Sequence, residues 1–292
     1  MIRPSTFSIV AFNPQDQSWG IAVASKFLAV GNVVPWASAG AGAIATQSYS
    51  NTSFGPNGLD LMKAGASASQ ALEKLLADDP DRELRQVGIV DRQGGSATFT
   101  GKACFPWAGG ISGQNYAAQG NILASEQVVA ALADTFKETT DDLPHRLLAA
   151  LMAGDRAGGD RRGKQSAAIF VVKAKSGYGG FNDRWVYYRV DDHPDPVMRL
   201  GELLELHELY FNKSDESDRL RIESNVLFQL QSVMLRLGYF LDEPGGVYDE
   251  KTQASLEAFL GNENFEERVD IKNGIIDKPV YEYLLRQFGS ER

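Results

Sequence analysis

Two arginines, a lysine, an aspartate and a serine crowd the stretch Gly158-Gly159-Asp160-Arg161-Arg162-Gly163-Lys164-Gln165-Ser166-Ala167-Ala168, which runs straight into the apolar Ile169-Phe170-Val171-Val172. Charges beside a buried strand must be paired, solvated or used, because an unpaired buried charge is costly. One reading is a surface turn closed by its own salt bridges. The other is one wall of a polar pocket. There Asp160, Arg161 and Arg162 would clamp a carboxylate-bearing substrate, to which the guanidinium fork is matched, and Ser166 would add a hydroxyl beside the clamp. A thiol, Cys104, lies in Lys102-Ala103-Cys104-Phe105-Pro106-Trp107 with no histidine near it in sequence, and reads as a buried inert thiol.

Other chemistries are disfavoured. With one cysteine there is neither an intrachain disulfide nor a cysteine zinc site. His145, His193 and His207 are scattered, and His193, between Asp192 and Pro194, reads as an interdomain or helix-capping residue. The glycine runs show no dinucleotide fingerprint and no phosphate loop. No metal and no cofactor is expected.

The chain has 292 residues, 43% hydrophobic and 23% charged, enough to bury a core in one large domain or two ordinary ones. Its formal net charge is −9, and from Asn212 onward 10 Lys and Arg face 16 Asp and Glu. An acidic surface does not suit nucleic acid. No apolar run approaches the roughly 20 residues of a membrane span. Met1–Ser5 lead into an apolar strand too short for a signal-peptide core, so a cytoplasmic location is expected.

Alternating hydrophobicity predicts a hairpin from Thr6–Phe12 and Trp19–Ala24 around the turn Asn13–Ser18, and a strand at Ala43–Gln47. Helices are expected over Gly58–Ala64 and over Ser67–Leu76, the latter with Ser67 as N-cap. A second hairpin follows at Gln86–Val90 and Ala97–Thr100, then a glycine-rich aromatic stretch from Trp107 to Gly120. Helices at Ser125–Phe136 and Leu143–Met152, strands at Ala167–Val172 and Arg184–Val190, and a helix at Val197–Phe211 complete this part. The order implies an α+β plan, with helix pairs covering two stacked antiparallel sheets. Residues 212–220 read as a linker, and residues 221–292 as a helical unit with helices at Arg221–Leu237, Thr252–Leu260 and Lys278–Phe288. Gly238 is placed as the C-cap of the first, and the core as Val226, Leu227, Leu230, Leu237, Phe259 and Leu284.

This second unit resembles a peptidoglycan-binding-like three-helix module through Leu237-Gly238-Tyr239, Gly246-Val247-Tyr248-Asp249, Thr252, Phe259 and Gly274-Ile275-Ile276-Asp277. Leu260 stands where such modules often carry Gln. The resemblance implies cell-wall fragments as a ligand; the absent export signal and the lack of an aromatic sugar-stacking platform argue against them. Residues 1–211 resemble the domain of unknown function 1028 family. The matching segments are Thr6-Phe7-Ser8-Ile9-Val10-Ala11, Gly20-Ile21-Ala22-Val23-Ala24-Ser25-Lys26-Phe27, Tyr116-Ala117-Ala118-Gln119-Gly120-Asn121, Gly159 to Ala167 and Val190-Asp191-Asp192-His193-Pro194. That family is similar in fold to N-terminal-nucleophile (Ntn) hydrolases, a four-layer αββα sandwich.

The resemblance implies chemistry. In Ntn hydrolases a Thr, Ser or Cys heads the first strand and its own α-amine serves as general base. Thr6 stands at that place, but five residues precede it, and an amide nitrogen cannot accept a proton. Either those residues are removed or Thr6 is an ordinary β-branched strand residue. Lys26, just past the second strand, would lie near Thr6 and stabilise a developing anion, or is a solvated strand-end lysine. Asn121 would donate to an oxyanion or cap the following helix. Two functions are carried forward: an amidohydrolase acting on a small carboxylate-bearing amide or peptide, and a non-catalytic scaffold that binds a small acidic metabolite. The apolar loops Phe27–Val30 and Val33–Trp36 imply a homo-oligomer, unless they pack under the sheet.

Overall fold

The computed structural model describes residues 6–212 and 214–289. The chain divides into two compact units, Met1–Leu204 and Glu205–Arg292. Strands β1 (Thr6–Asn13) and β2 (Ser18–Ser25) form the expected hairpin, and every residue of both is buried. Strands β3 (Pro35–Ser38) and β4 (Gly42–Ser48) follow, then helices α1 (Phe54–Lys63) and α2 (Ala68–Ala77). Ser67 caps α2 as predicted: its hydroxyl accepts from Gln70 N while the Gln70 side chain returns to Ser67 N. Next come β5 (Arg85–Asp91), β6 (Ser96–Thr100), β7 (Gly109–Gly113), β8 (Tyr116–Asn121), α3 (Gln127–Glu138) and α4 (Leu143–Arg156). Strands β9 (Ser166–Lys173) and β10 (Arg184–Val190) and helix α5 (Pro196–Phe211) complete the series.

The fold is α+β, with eight α-helices and antiparallel sheets among the described residues. One six-stranded sheet has the order β10-β9-β2-β1-β8-β7, and a four-stranded sheet the order β3-β4-β5-β6. The period of two sends alternate residues of β1 to different cores. Phe7, Ile9 and Ala11 pack with Leu132 and Phe136 of α3 and Leu147 and Leu151 of α4. Val10 and Phe12 pack with Ala43, Ala45 and Val90 of the smaller sheet. On the other face of that sheet, Ile44, Val87 and Ile89 pack with Met62 of α1 and Leu72 and Leu75 of α2. Each fully buried Leu or Ile contributes roughly 1.5–3 kcal/mol, so these three clusters hold the layers together.

The glycine-rich stretch after Trp107 holds two strands, β7 and β8, that sequence periodicity did not reveal. Strand β8 is central: it pairs with β1 from Thr6↔Asn121 to Ala11↔Tyr116. The apolar loop residues also turn inward. Val30 and Val34 are buried between the sheets, with Phe27 and Val33 packed against them, while Leu28 remains 59% exposed.

In the second unit, β11 (Arg219–Arg221), α6 (Ser224–Leu237), α7 (Glu250–Asn262), β12 (Val269–Asp270), β13 (Ile275–Asp277) and α8 (Lys278–Phe288) share one core. The three helices match expectation; the small sheet β11-β13-β12 is additional. Leu227, Leu230, Phe259 and Leu284 are buried and Val226 is partly buried, but Leu237 is 40% exposed. Gly238, at φ 81°, ends α6 in the left-handed cap, and the chain then buries Phe240 in the same core. Arg268 is 5% exposed and pairs with Asp277 at 2.7 Å; it also donates to Ser214 Oγ and to the carbonyls of Glu208 and Leu209 at the end of α5.

Candidate functional site

At one end of the six-stranded sheet, pairing sets four polar residues in a row across adjacent strands: Asn121 on β8, Thr6 on β1, Ser25 on β2 and Ser166 on β9. Directly opposed residues share a face. Thr6, two residues before Ser8 and four before Val10, faces the smaller sheet. All four are buried, Thr6, Asn121 and Ser166 completely. The Thr6 hydroxyl donates to Ser25 Oγ at 3.3 Å. The row thus unites three of the residues singled out in the sequence and adds Ser25. The chemistry of Thr6's nitrogen depends on residues 1–5, which lie outside the described residues.

Three glutamines from three strands fill the space between the sheets beside this row, each at most 1% exposed. Gln47 on β4 donates to the Thr6 carbonyl at 3.3 Å and to Gln86 Oε1 at 2.9 Å. Ser8 donates to Gln47 Oε1 at 2.6 Å and accepts from Gln119 Nε2 at 2.7 Å. Gln86 on β5 accepts from Asn121 Nδ2 at 2.9 Å. Gly88 gives this amide its room: a Cβ on it would lie 2.0 Å from Gln119 Oε1, and the carboxamide would have to shift. At the other end of the two sheets the filling is apolar, with Phe12 stacked on Trp19 at 4.9 Å. Sequence reasoning missed Ser8, Ser25 and the three glutamines; the available signal was an amide or hydroxyl near the end of each otherwise apolar strand.

The backbone is strained at this same end. Ile122, directly after β8, has φ 52°; Ser48, the last residue of β4, has φ 67°; and Ala29, in the loop after β2, has φ 53°. Positive φ in non-glycine residues, above all a β-branched one, costs on the order of 1 kcal/mol or more each and gathers at functional sites.

The charged cluster resolves into loop fastenings. Asp160 is 6% exposed, and its carboxylate accepts from the backbone N–H of Lys26 at 2.7 Å, from that of Arg162 at 2.9 Å and from the Arg162 guanidinium at 3.0 Å. Arg162 also donates to the Lys26 carbonyl at 3.0 Å. Lys164 pairs with Asp155 at 2.6 Å and Asp195 at 3.0 Å. Burial works against its charge, yet the hydrogen bonds it donates to those carboxylates prevail and raise its pKa. Ser166 donates to the Phe27 carbonyl and accepts from Val30 N, so its hydroxyl anchors the loop after β2. Arg161 is exposed, and so is Lys26, whose ammonium reaches the Lys164 carbonyl at 3.2 Å. Asp160, Arg162 and Ser166 therefore serve the fold in this arrangement, while Arg161 and Lys26 present cationic side chains to solvent.

Cys104 is buried with its Sγ on the Arg85 carbonyl at 3.3 Å, and burial pushes its thiol pKa up, as for an inert thiol. At the N-terminus of α4, Asp141, Asp142 and His145 bring three ligand-type atoms within 4.8 Å, but Asp142 is committed as the helix cap. A cavity of about 100 Å³ adjoins the row on its helical side, lined by Phe7, Ser25, Asp160, Lys164 and neighbours. No helix among the described residues is long and apolar enough to cross a membrane.

Family models and solved structures match this chain. A peptidoglycan-binding-like domain matches residues 210–284. A crystal structure of a protein from Silicibacter pomeroyi that carries the DUF1028 family name is 30% identical, with a TM-score of 0.64 over 73% of this chain and 89% of that one. Among curated proteins no relative matches. The family of unknown function DUF1028 itself matches residues 6–200, which include all four residues of the row, and with that span the chain belongs to this family.

Proposed function

We propose that the first unit is an amidohydrolase of the Ntn type, built as a four-layer αββα sandwich and acting on a small carboxylate-bearing amide or peptide. The carrying observation is the position of Thr6: it heads the first strand, its hydroxyl faces the space between two sheets, and Ser25 and Asn121 flank it. The sequence of cores, helices against sheet against sheet against helices, supports the layer order. In this reading a chain that begins at Thr6 carries a free α-amine, which takes the hydroxyl proton as Oγ1 attacks the amide carbonyl. Lys26 answers the developing oxyanion, and Arg161 holds the substrate carboxylate. Asp160, Arg162 and Ser166 hold the loops that carry both cations.

The test is a form of the chain starting at Thr6, assayed for release of amine from N-acyl amino acids and short peptides, beside the same form with Thr6→Ala. Turnover confined to the threonine form supports the reading, and equal rates for the two remove it. The full burial of Thr6 favours a second reading, a non-catalytic scaffold binding a small acidic metabolite. That reading predicts ligand binding by the full chain that Thr6→Ala leaves intact. For the second unit, the match over residues 210–284 supports binding of cell-wall fragments. Sedimentation of the full chain with purified peptidoglycan checks it, and a chain left wholly in the supernatant contradicts it.

A further inference from the structure

We infer that Gln86 is the positioning residue of the site: it fixes the sense of the Asn121 carboxamide, nitrogen toward the smaller sheet and oxygen away from it. This rests on the reading of Thr6 as the nucleophile only for its functional consequence; the orientation stands by itself.

The sense of the network is dictated by backbone atoms that cannot change role. The Gln86 Nε2 lies 2.7 Å from the Gly120 carbonyl and 3.2 Å from the Gly109 carbonyl, and 2.9 Å from Thr100 Oγ1. Carbonyl oxygens only accept, so the nitrogen of Gln86 must face them. Its oxygen then faces Asn121 and Gln47, and both must present N–H to it, at 2.9 Å each. Gln47 in turn offers its oxygen to Ser8, which spends its single proton there and accepts from Gln119. Two carbonyls of the β7–β8 pair thus set the direction of every bond back to Asn121 and Ser8. Each member is 0–1% exposed, where reversing one amide would place acceptors face to face in a low-dielectric interior.

The consequence bears on the role first given to Asn121. One of its N–H groups is held by Gln86, in the opposite sheet. Its pairing partner in the row is Thr6. The oxygen that Gln86 turns away from the smaller sheet is an acceptor, suited to orient the α-ammonium that Thr6 carries after taking up its own hydroxyl proton. The oxyanion is then left to donors other than this held N–H. Gln86 acts through Asn121 and touches no reacting atom.

The experiment uses the full chain and needs no activity. In Asn121→Asp the introduced carboxyl faces the Gln86 oxygen and must keep its proton to donate there. By carbon-13 titration its pKa is expected about one unit or more above that of the same carboxyl in Asn121→Asp with Gln86→Met, where the acceptor is gone. Equal values in the two backgrounds overturn the inference. Should either variant fail to fold, neutron diffraction from the unmodified, deuterated chain reads the orientation directly: Asn121 nitrogen toward Gln86 upholds it, and oxygen toward Gln86 overturns it. Failure of this test with Thr6 still reactive rejects the role of Gln86 alone. Success with Thr6 inert rejects the hydrolase reading alone.

Discussion

Asp160 and Arg162 show how a charged pair at a strand entrance is used. Asp160 satisfies two backbone N–H groups and one guanidinium from a buried position, so Asp160→Ala removes an acceptor from all three. Removing one partner of such a pair costs about 3 kcal/mol, whereas Arg161→Ala, on an exposed side chain, stays within about 0.5 kcal/mol. Urea denaturation of the two variants checks this contrast. Asp79 gives a pH prediction. The Arg85 guanidinium, hydrogen-bonded to it at 2.8 Å, leads the causes that hold its pKa at about 2, below the ordinary 3.8. A carboxylate with a depressed pKa stabilises the fold fully above its unfolded value, and that stability is lost as pH falls toward 2. Asp79→Asn should therefore cost about 1–2 kcal/mol at pH 6, and the gap from the unmodified chain should close near pH 2 in thermal melts. The family resemblance pointed to Thr6 and Asn121, and residue types to Ser166, but neither disclosed that Arg162 and Ser166 fasten loops, because their partners come from Lys26, Phe27 and Val30, more than 130 residues away.

At the scale of elements, periodicity found the strands whose alternate residues are large and apolar. It passed over β8, Tyr116-Ala-Ala-Gln-Gly-Asn121, whose small residues give no hydrophobic contrast, although β8 supplies Asn121 and Gln119. Small side chains there let Gln86 approach the β8 backbone closely, which is a tertiary demand invisible in the strand's own sequence. Gly88 on β5 answers a similar demand. Gly88→Ala should displace Gln119 and lower stability by about 1–3 kcal/mol, measured by chemical denaturation. In the second unit, Arg268→Met leaves Asp277 buried without its closest cation and takes one donor from each of two carbonyls of α5. A loss of about 3 kcal/mol or more is expected from calorimetry of the full chain, in the transition that belongs to this unit. The stop of α6 was legible because a cap is local chemistry, and Gly238 sits where it caps; the starts of α6 and α7 fell two or three residues from expectation.

For the molecule as a whole, the α+β plan with antiparallel sheets was readable from the chain, while β7, β8 and the small sheet of the second unit were not. What could not be read was that one end of the space between the sheets is polar and the other apolar. That gradient arises from registers that bring Gln47, Gln86, Gln119, Ser8 and Thr6 together from four strands. Buried amides with strained backbone at the strand ends are poor choices for stability alone, and the proposed function places its chemistry at this end. The account stands or falls on Thr6. The chain beginning at Thr6 should be treated with an amide-mimicking electrophile such as a β-lactone and its intact mass and peptide map recorded. The account predicts one covalent adduct, on Thr6 Oγ1, absent from Thr6→Ala and from the chain that retains residues 1–5. An unmodified mass, or an adduct that survives Thr6→Ala, would contradict it.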